Sequence, residues 1–486
     1  MAITIVGLGP GDPGHLTRHA WEVLTRAGEV YLRTRRHPTV AGLPPDLVLH
    51  SFDELYEEMD DFSAVYGAIT ERILELARRT EGVVYAVPGH PLIGESSVAR
   101  ILATTQKKGL CVQIVDGLSF VEPVLGLLGI DGLEGLQLAD ATDVAAAHHP
   151  ALDPDRPVLI GQLYGRRLAS EVKLTLMNAY PEDHPVVLVR AAGMPEAERL
   201  ALPLYELDQG ALLDHLTTLY VPPLPGAGSM AAVQDTMAHL RAPDGCPWDR
   251  EQTHQTLREN LLEETYEVLA ALDAEEDEKL CEELGDLLMQ IAMHVQIATE
   301  EGAFRFADVA RGIVAKLRRR HPHVFGDLEV QGTGEVLRNW EAIKAGERRS
   351  AAGGEISRLA GVPTILPALA RAQALSARAA RHGFDWPDVE GVLGKVGEEL
   401  QELVAAQSQQ ERQWELGDFL FTLVNVARWL DIDAESALRA ACDRFARRYA
   451  VMEGEARARG LDLLEMPPAE QEALWKATAA AGKPKP

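Results

Sequence analysis

The sequence predicts a multidomain protein in which an α/β domain is followed by tandem all-α helical bundles. Three observations predict it. Short β-branched runs alternate with helical stretches up to about residue 220. Past a segment rich in proline and glycine, strand-like runs stop, and long amphipathic segments of Ala, Leu, Glu and Arg take over. Within that second part an acidic pattern, EExxE followed by ExxD, occurs twice. Its copies are Glu263, Glu264, Glu267, Glu283 and Asp286, then Glu398, Glu399, Glu402, Glu415 and Asp418.

In chain order, the expected strands are residues 3–7, 83–87, 112–115, 158–160 and 186–190, which are short and often end at Gly or Pro. Helical stretches lie between them, for example residues 62–79 and 97–107. The first strand runs into Gly7-Leu8-Gly9-Pro10-Gly11-Asp12-Pro13, a turn that lets a ligand approach backbone N–H groups. It is a poor dinucleotide fingerprint, because Asp12 stands where the third glycine is needed. Residues 221–229 carry three prolines and two glycines and read as a linker. The helical part repeats itself: Trp248-Asp249 precedes one acidic block and Asp385-Trp386 the other, and ELGDLL at 283–288 returns as ELGDFL at 415–420. The expected division is therefore 1–222, a linker at 223–230, and helical modules at 231–355 and 356–486.

Composition narrows the function. A length of 486 residues suggests about three domains, and a hydrophobic share of 46% supplies ample core. A net charge of -27 argues against a partner made of nucleic acid or anionic membrane, since such binders need a basic field. Cys111, Cys246, Cys281 and Cys442 are far apart and form no CxxC pair, which fits a reducing cytoplasm. No run approaches the roughly 20 apolar residues that span a bilayer.

Carboxylates three or four residues apart lie on one helical face. Two such helices side by side aim four or five carboxylates at one point. That arrangement repels itself unless a cation sits in the middle, and hard oxygen ligands favour Mg²⁺ or Mn²⁺. Gly285 and Gly417 fall between the last two acidic residues of each copy, which suggests close helix approach or ligand access. The interleaved Leu284, Leu287, Leu288, Leu416, Phe419 and Leu420 suggest that these helices are largely packed.

Residues 229–478 resemble the MazG family of nucleoside triphosphate pyrophosphohydrolases. The resemblance is carried by GCPWD at 245–249, LEETYE at 262–267, RRHPHVF at 319–325 and GFDW at 383–386. It implies two tandem bundles, Mg²⁺ dependence, homodimerisation and hydrolysis of nucleoside triphosphates to NMP and pyrophosphate. It further implies that the second module is catalytic, with Glu399, Glu402, Glu415 and Asp418 as metal ligands and Glu398 as either a ligand or the general base. Arg444 and Arg448 fall where the family meets phosphates, and Trp475 where it meets the nucleotide. The lysine that often follows one turn later is Ala479 here.

Residues 1–220 resemble the tetrapyrrole (corrin/porphyrin) methylases, through the opening GLGPGDP, AVPGHPL at 86–92, DGLSF at 116–120 and VRAAG at 189–193. The whole chain resembles the YabN-type fusion of such a methylase with MazG. The resemblance implies a two-lobed α/β domain with S-adenosylmethionine in the cleft, held by Pro10, His90, Ile93, Ser119, Phe120, Leu163 and Ala192. His90 stands where the family more usually has Asp. That keeps a second reading open, in which the domain is a non-catalytic sensor.

Overall fold

The computed structural model describes residues 2–59, 61–209, 213–352 and 357–478. It separates into two compact units, Met1–Asp308 and Val309–Pro486.

The N-terminal unit opens with two five-stranded sheets. The first contains β1 (Ala2–Gly7), β2 (Glu29–Leu32), β3 (Val48–Ser51), β4 (Val83–Val87) and β5 (Cys111–Val115) in the order β3-β2-β4-β1-β5. Its pairings are parallel, with Ile3 opposite both Val83 and Val112. Alternate residues face opposite sides of the sheet. Ile3 and Ile5 therefore join Ile69, Ile73, Val98 and Ile101, from the helices Phe62–Leu76 and Ser96–Lys108. Val6 and Leu8 join Ala20 and Leu24 of the helix Arg18–Arg26 on the other side. Burial on both faces is what a parallel sheet demands.

The second sheet is mixed. It contains β6 (Gln137–Asp140), β7 (Val158–Gly161), β8 (Pro185–Arg190), β9 (Glu198–Pro203) and β10 (Thr217–Val221) in the order β6-β7-β10-β8-β9. Only β6 and β7 pair in parallel. Leu168, Ala169, Val172 and Leu176 of the helix Arg166–Leu176 cover one face. Five strands, β2, β3, β6, β9 and β10, are additions to those expected from the sequence. Three of them are only four residues long, and β9 is exposed along most of its length. Neither kind carries a strong local signal, whereas β10, the buried and β-branched run TTLYV, does carry one.

The expected linker is fastened. Leu224 N–H donates to the Pro154 carbonyl at 2.8 Å. The Asp155 carboxylate accepts from Gly228 N–H at 2.8 Å and from Ser229 N–H at 2.9 Å. The loss of regular structure there follows from the prolines, while these bonds keep the segment on the second sheet's lobe.

From Met230 onward the described residues are helical or loop. Each acidic pattern lies on an antiparallel hairpin of helices. One is Arg258–Ala274 with Asp277–Glu300, and the other is Val389–Ala405 with Gln409–Trp429. Leu284, Leu416 and Leu420 remain 49%, 46% and 44% exposed. The expectation of largely packed helices is thus corrected: a two-helix hairpin buries one stripe of each helix and leaves the rest open. Among the described residues, no helix is long and apolar enough to cross a membrane.

Candidate functional site

In the first hairpin, oxygen atoms of Glu264, Glu267 and Glu283 lie within 4.8 Å of one another. In the second hairpin, Glu399, Glu402 and Glu415 do the same. Each EExxE helix contributes two carboxylates and each ExxD helix one. Asp286 borders the first group and Asp418 the second, close enough to act on their neighbours electrostatically. Burial, then the charges of Asp286, Glu267 and Glu283, push the Glu264 carboxyl above the usual range. Burial, then Glu402, Asp418 and Glu399, do the same to Glu415. Mutual repulsion of this kind is relieved by a divalent cation, so the donor set fits a hard metal ion. Glu263 and Glu398 are exposed and stand outside the two triads.

Each hairpin buries one carboxylate deeply, Glu283 at 2% exposure and Glu399 at 5%. A buried charge is costly unless paired. The partner in each case is a lysine one turn earlier on the same helix, with Lys279 Nζ at 2.5 Å from Glu283 and Lys395 Nζ at 3.0 Å from Glu399. Hydrogen bonds to Glu283 and Glu282 push the Lys279 ammonium well above the usual lysine range, and those to Glu398 and Glu399 do so for Lys395. Both lysines escaped the sequence reading, although their i, i+4 spacing to the glutamates was the available signal. A side chain added at Gly285 or Gly417 would meet nothing within 4 Å. Close helix approach is therefore not the reason for these glycines, and the space beside the carboxylates is open.

Arg444, Arg448 and Trp475 lie on the helices Ala434–Ala458 and Pro468–Ala477. Arg444 is exposed. The Arg448 guanidinium sits 3.8 Å from the Trp475 ring centroid and donates to the Trp475 carbonyl. Trp475 also meets Phe445 at 5.3 Å, and both rings line a recess of about 320 Å³ with Tyr449 and Met452. Ala479 lies outside the described residues.

The cofactor-type residues gather at the carboxyl ends of strands. Gly7 ends β1, Gly89 follows β4 and Gly117 follows β5. A Cβ on Gly7 would fall 2.6 Å from the Gly89 oxygen and 2.7 Å from the Gly117 nitrogen, so only glycine lets these three backbones meet. His90 accepts from Leu92 N–H through Nδ1 at 3.1 Å, which leaves the proton on Nε2, 3.4 Å from Asp116. Ser119 is buried and donates from Oγ to Glu122 at 2.6 Å. Pro10 and Ile93 are half-buried on the loops around His90. In the second lobe, Leu163 and Ala192 directly follow Gln162 and Ala191, two non-glycine residues at φ 61 and 51. Such left-handed strain concentrates at functional sites. Phe120 packs with Ala192 and fills the space above Gly161, whose Cβ would lie 2.8 Å from the ring. The Leu163 side chain is fully buried in the second lobe's core, so that residue offers its backbone alone.

The tetrapyrrole (corrin/porphyrin) methylase family model matches residues 2–208, and that of the MazG nucleotide pyrophosphohydrolase domain matches residues 252–325. The chain is 42% identical over 482 residues to the uncharacterized protein YabN of Bacillus subtilis, covering 97% of each chain. It is 45% identical over 243 residues to the nucleoside triphosphate pyrophosphohydrolase/pyrophosphatase MazG of Thermotoga maritima, covering 49% of this chain and 91% of that one. A uroporphyrin-III-C-methyltransferase structure from Thermus thermophilus covers 46% of this chain and 91% of its own at 24% identity, with a TM-score of 0.36. With near-complete coverage at that identity, the chain belongs to the YabN family, in which a tetrapyrrole methylase domain precedes a MazG region.

Proposed function

We propose that the protein is a Mg²⁺-dependent nucleoside triphosphate pyrophosphohydrolase, converting NTP and water to NMP and diphosphate, joined to an S-adenosylmethionine-binding methyltransferase domain. The supporting observation is the pair of carboxylate triads, each within 4.8 Å. The relatives named for this hydrolysis extend the support to the substrate. A triphosphate carries about four negative charges, so an acidic pocket can hold it only across cations, which supply charge neutralisation and Lewis acidity. Glu399, Glu402, Glu415 and Asp418 would hold the ion in the second module, and Glu264, Glu267, Glu283 and Asp286 form the equivalent set in the first, where Glu263, expected as a ligand, stands outside the triad in the place of Glu398. Glu398, exposed and held 2.8 Å from Lys395 beside the triad, would orient the attacking water as general base through its other oxygen. Arg444 receives phosphate, and the aromatic recess beside Trp475 and Arg448 seats the base. The exposed apolar faces of both hairpins suit a homodimer. All four cysteines are free, as in a reducing cytoplasm.

The test is hydrolysis of an NTP panel by the intact chain with and without Mg²⁺, with products separated. Glu415→Ala or Asp418→Ala is expected to abolish diphosphate release while the dimer persists. Retained hydrolysis in those variants moves the active site to the first module, and release of NDP and phosphate rejects the reaction type.

In the N-terminal domain the glycine junction and the two strained turns fit a ligand that approaches backbone closely. S-adenosylmethionine bound there supplies an activated methyl group. Pro10, His90, Ile93, Ser119, Phe120, Leu163 and Ala192 border the site and orient it, and alignment is most of what methyl transfer asks of a protein. A sensor without turnover is the second reading, kept open by His90, which stands beside Asp116 where the family more usually has Asp. Calorimetry with S-adenosylmethionine separates them: no binding rejects methyl transfer, and binding without turnover supports the sensor.

A further inference from the structure

Two histidines tie the open end of the first carboxylate hairpin. His254 lies in the turn that enters the helix Arg258–Ala274, and His294 lies on the helix Asp277–Glu300. Their Nδ1 atoms are 2.8 Å apart, their ring centroids 5.1 Å apart and their planes 12° from parallel. The difference between those two distances equals two imidazole radii, so both nitrogens lie on the line joining the ring centres. The rings therefore meet edge to edge through one hydrogen bond, in which one nitrogen donates and the other accepts. A metal ion on that line needs its two nitrogens about 4 Å apart, so the gap suits a proton.

The outer nitrogens decide where a further proton can go. His254 Nε2 faces Glu301 Oε2 at 4.0 Å, and His294 Nε2 is buried without a hydrogen-bond partner. Both conditions are met when His254 carries its proton on Nε2 and His294 on Nδ1. His294 Nε2 is then the bare nitrogen of the pair. An added proton ends there, even when the shared proton slides across to His254, and a buried N–H without an acceptor is costly. Gln290, one turn earlier, has its Oε1 buried and unpartnered too, so it does not reach His294 in this arrangement. Burial, then His254, accordingly hold the His294 imidazole below the usual histidine range. The charges around the pair oppose this weakly. Arg241, on the helix Met230–Arg241, is matched by Glu300 at 2.8 Å and holds the carbonyls of Asp249 and Gln252. Glu301 is 61% exposed, so its pull on His254 is screened.

We propose that this pair is a proton-operated clasp: neutral, it ties the turn before Glu264 and Glu267 to the helix that carries Glu283, and acid opens it by turning N–H against N–H. The freed His294 then has Gln290 within one helical turn as acceptor. The clasp acts on these helices whether or not their carboxylates bind a metal. Its sign is fixed. The open state takes protons below about 6.5 and the closed state only at lower pH, so acid favours opening. Between pH 7.5 and 5.5 one such histidine shifts the opening equilibrium about ten-fold. Glu264 works the other way, because its raised carboxyl takes a proton more readily in the closed hairpin. Leu257 keeps an apolar hold on Met237, Met293 and Ile297, which limits the opening to the end of the hairpin.

The experiment is hydrogen exchange read by mass spectrometry on the intact chain at pH 7.5 and 5.5, corrected for the intrinsic pH dependence of exchange. Peptides across residues 253–264 are expected to lose about ten-fold in protection at the lower pH, while those of β1 and β4 keep theirs. In His294→Asn the side-chain oxygen accepts from His254 whether or not that ring is charged, so the acid loss is expected to vanish. Should that variant loosen the segment equally at both pH values, the pH dependence has still gone with the ring, as the clasp requires. Undiminished protection of the wild-type segment at pH 5.5, or an acid loss that persists in His294→Asn, overturns the clasp.

Discussion

Lys279 and Lys395 do for the isolated carboxylate groups what a metal ion does more fully. Each ammonium offsets one buried glutamate and leaves the rest of its cluster repelling itself. Lys395→Met is therefore expected to lower the urea midpoint of the Mg²⁺-free protein, and saturating Mg²⁺ is expected to restore it; a midpoint indifferent to both changes removes the counterion role. Glu95 gives a pH signature of opposite origin. Burial pushes its carboxyl up to about 7 from the ordinary 4.5, with Arg33 opposing the shift. The folded chain then holds this proton more tightly than the unfolded chain. Stability falls as pH rises from about 4.5 through about 7, by on the order of 3 kcal/mol for a shift of that size. Melting curves across that window are expected to lose this slope in Glu95→Gln, and an unchanged slope rejects the assignment. The acidic residues were legible in the sequence because their spacing is local. Arg33 and Glu95 were not, because nothing between those positions signals that β2 and β4 bring them together.

At the scale of elements, the helix Gln409–Trp429 shows how a site depends on a cap outside it. Ser408 accepts from Glu411 N–H, and Glu411 accepts from Ser408 N–H, a capping box that starts the helix carrying Glu415 and Asp418. Ser408→Ala is expected to cost about 1 kcal/mol and to raise the Mg²⁺ concentration needed for half-maximal hydrolysis; an unchanged metal requirement means the cap does not position the carboxylates. The linker illustrates a limit of composition. Its prolines announced irregular backbone, but the hold of Asp155 on Gly228 and Ser229 is a tertiary fact. Asp155→Ala is expected to speed protease cleavage between residues 223 and 229, read by timed digestion.

For the whole molecule, the duplicated hairpins raise the question of which module works. Paired variants answer it. Glu283→Ala with Asp286→Ala is expected to leave most diphosphate release intact, whereas Glu415→Ala with Asp418→Ala removes it, and the reverse pattern reassigns the activity. The sequence by itself determined the α/β-then-helical order, the two acidic repeats and the glycine turns, since period, spacing and composition are local properties. Only the tertiary structure decided that the carboxylates close to within 4.8 Å. It alone decided that the hairpins leave leucines exposed, that five further strands complete the two sheets, and that Arg33 meets Glu95. Those outcomes depend on contacts between residues far apart in the chain, which no local pattern encodes.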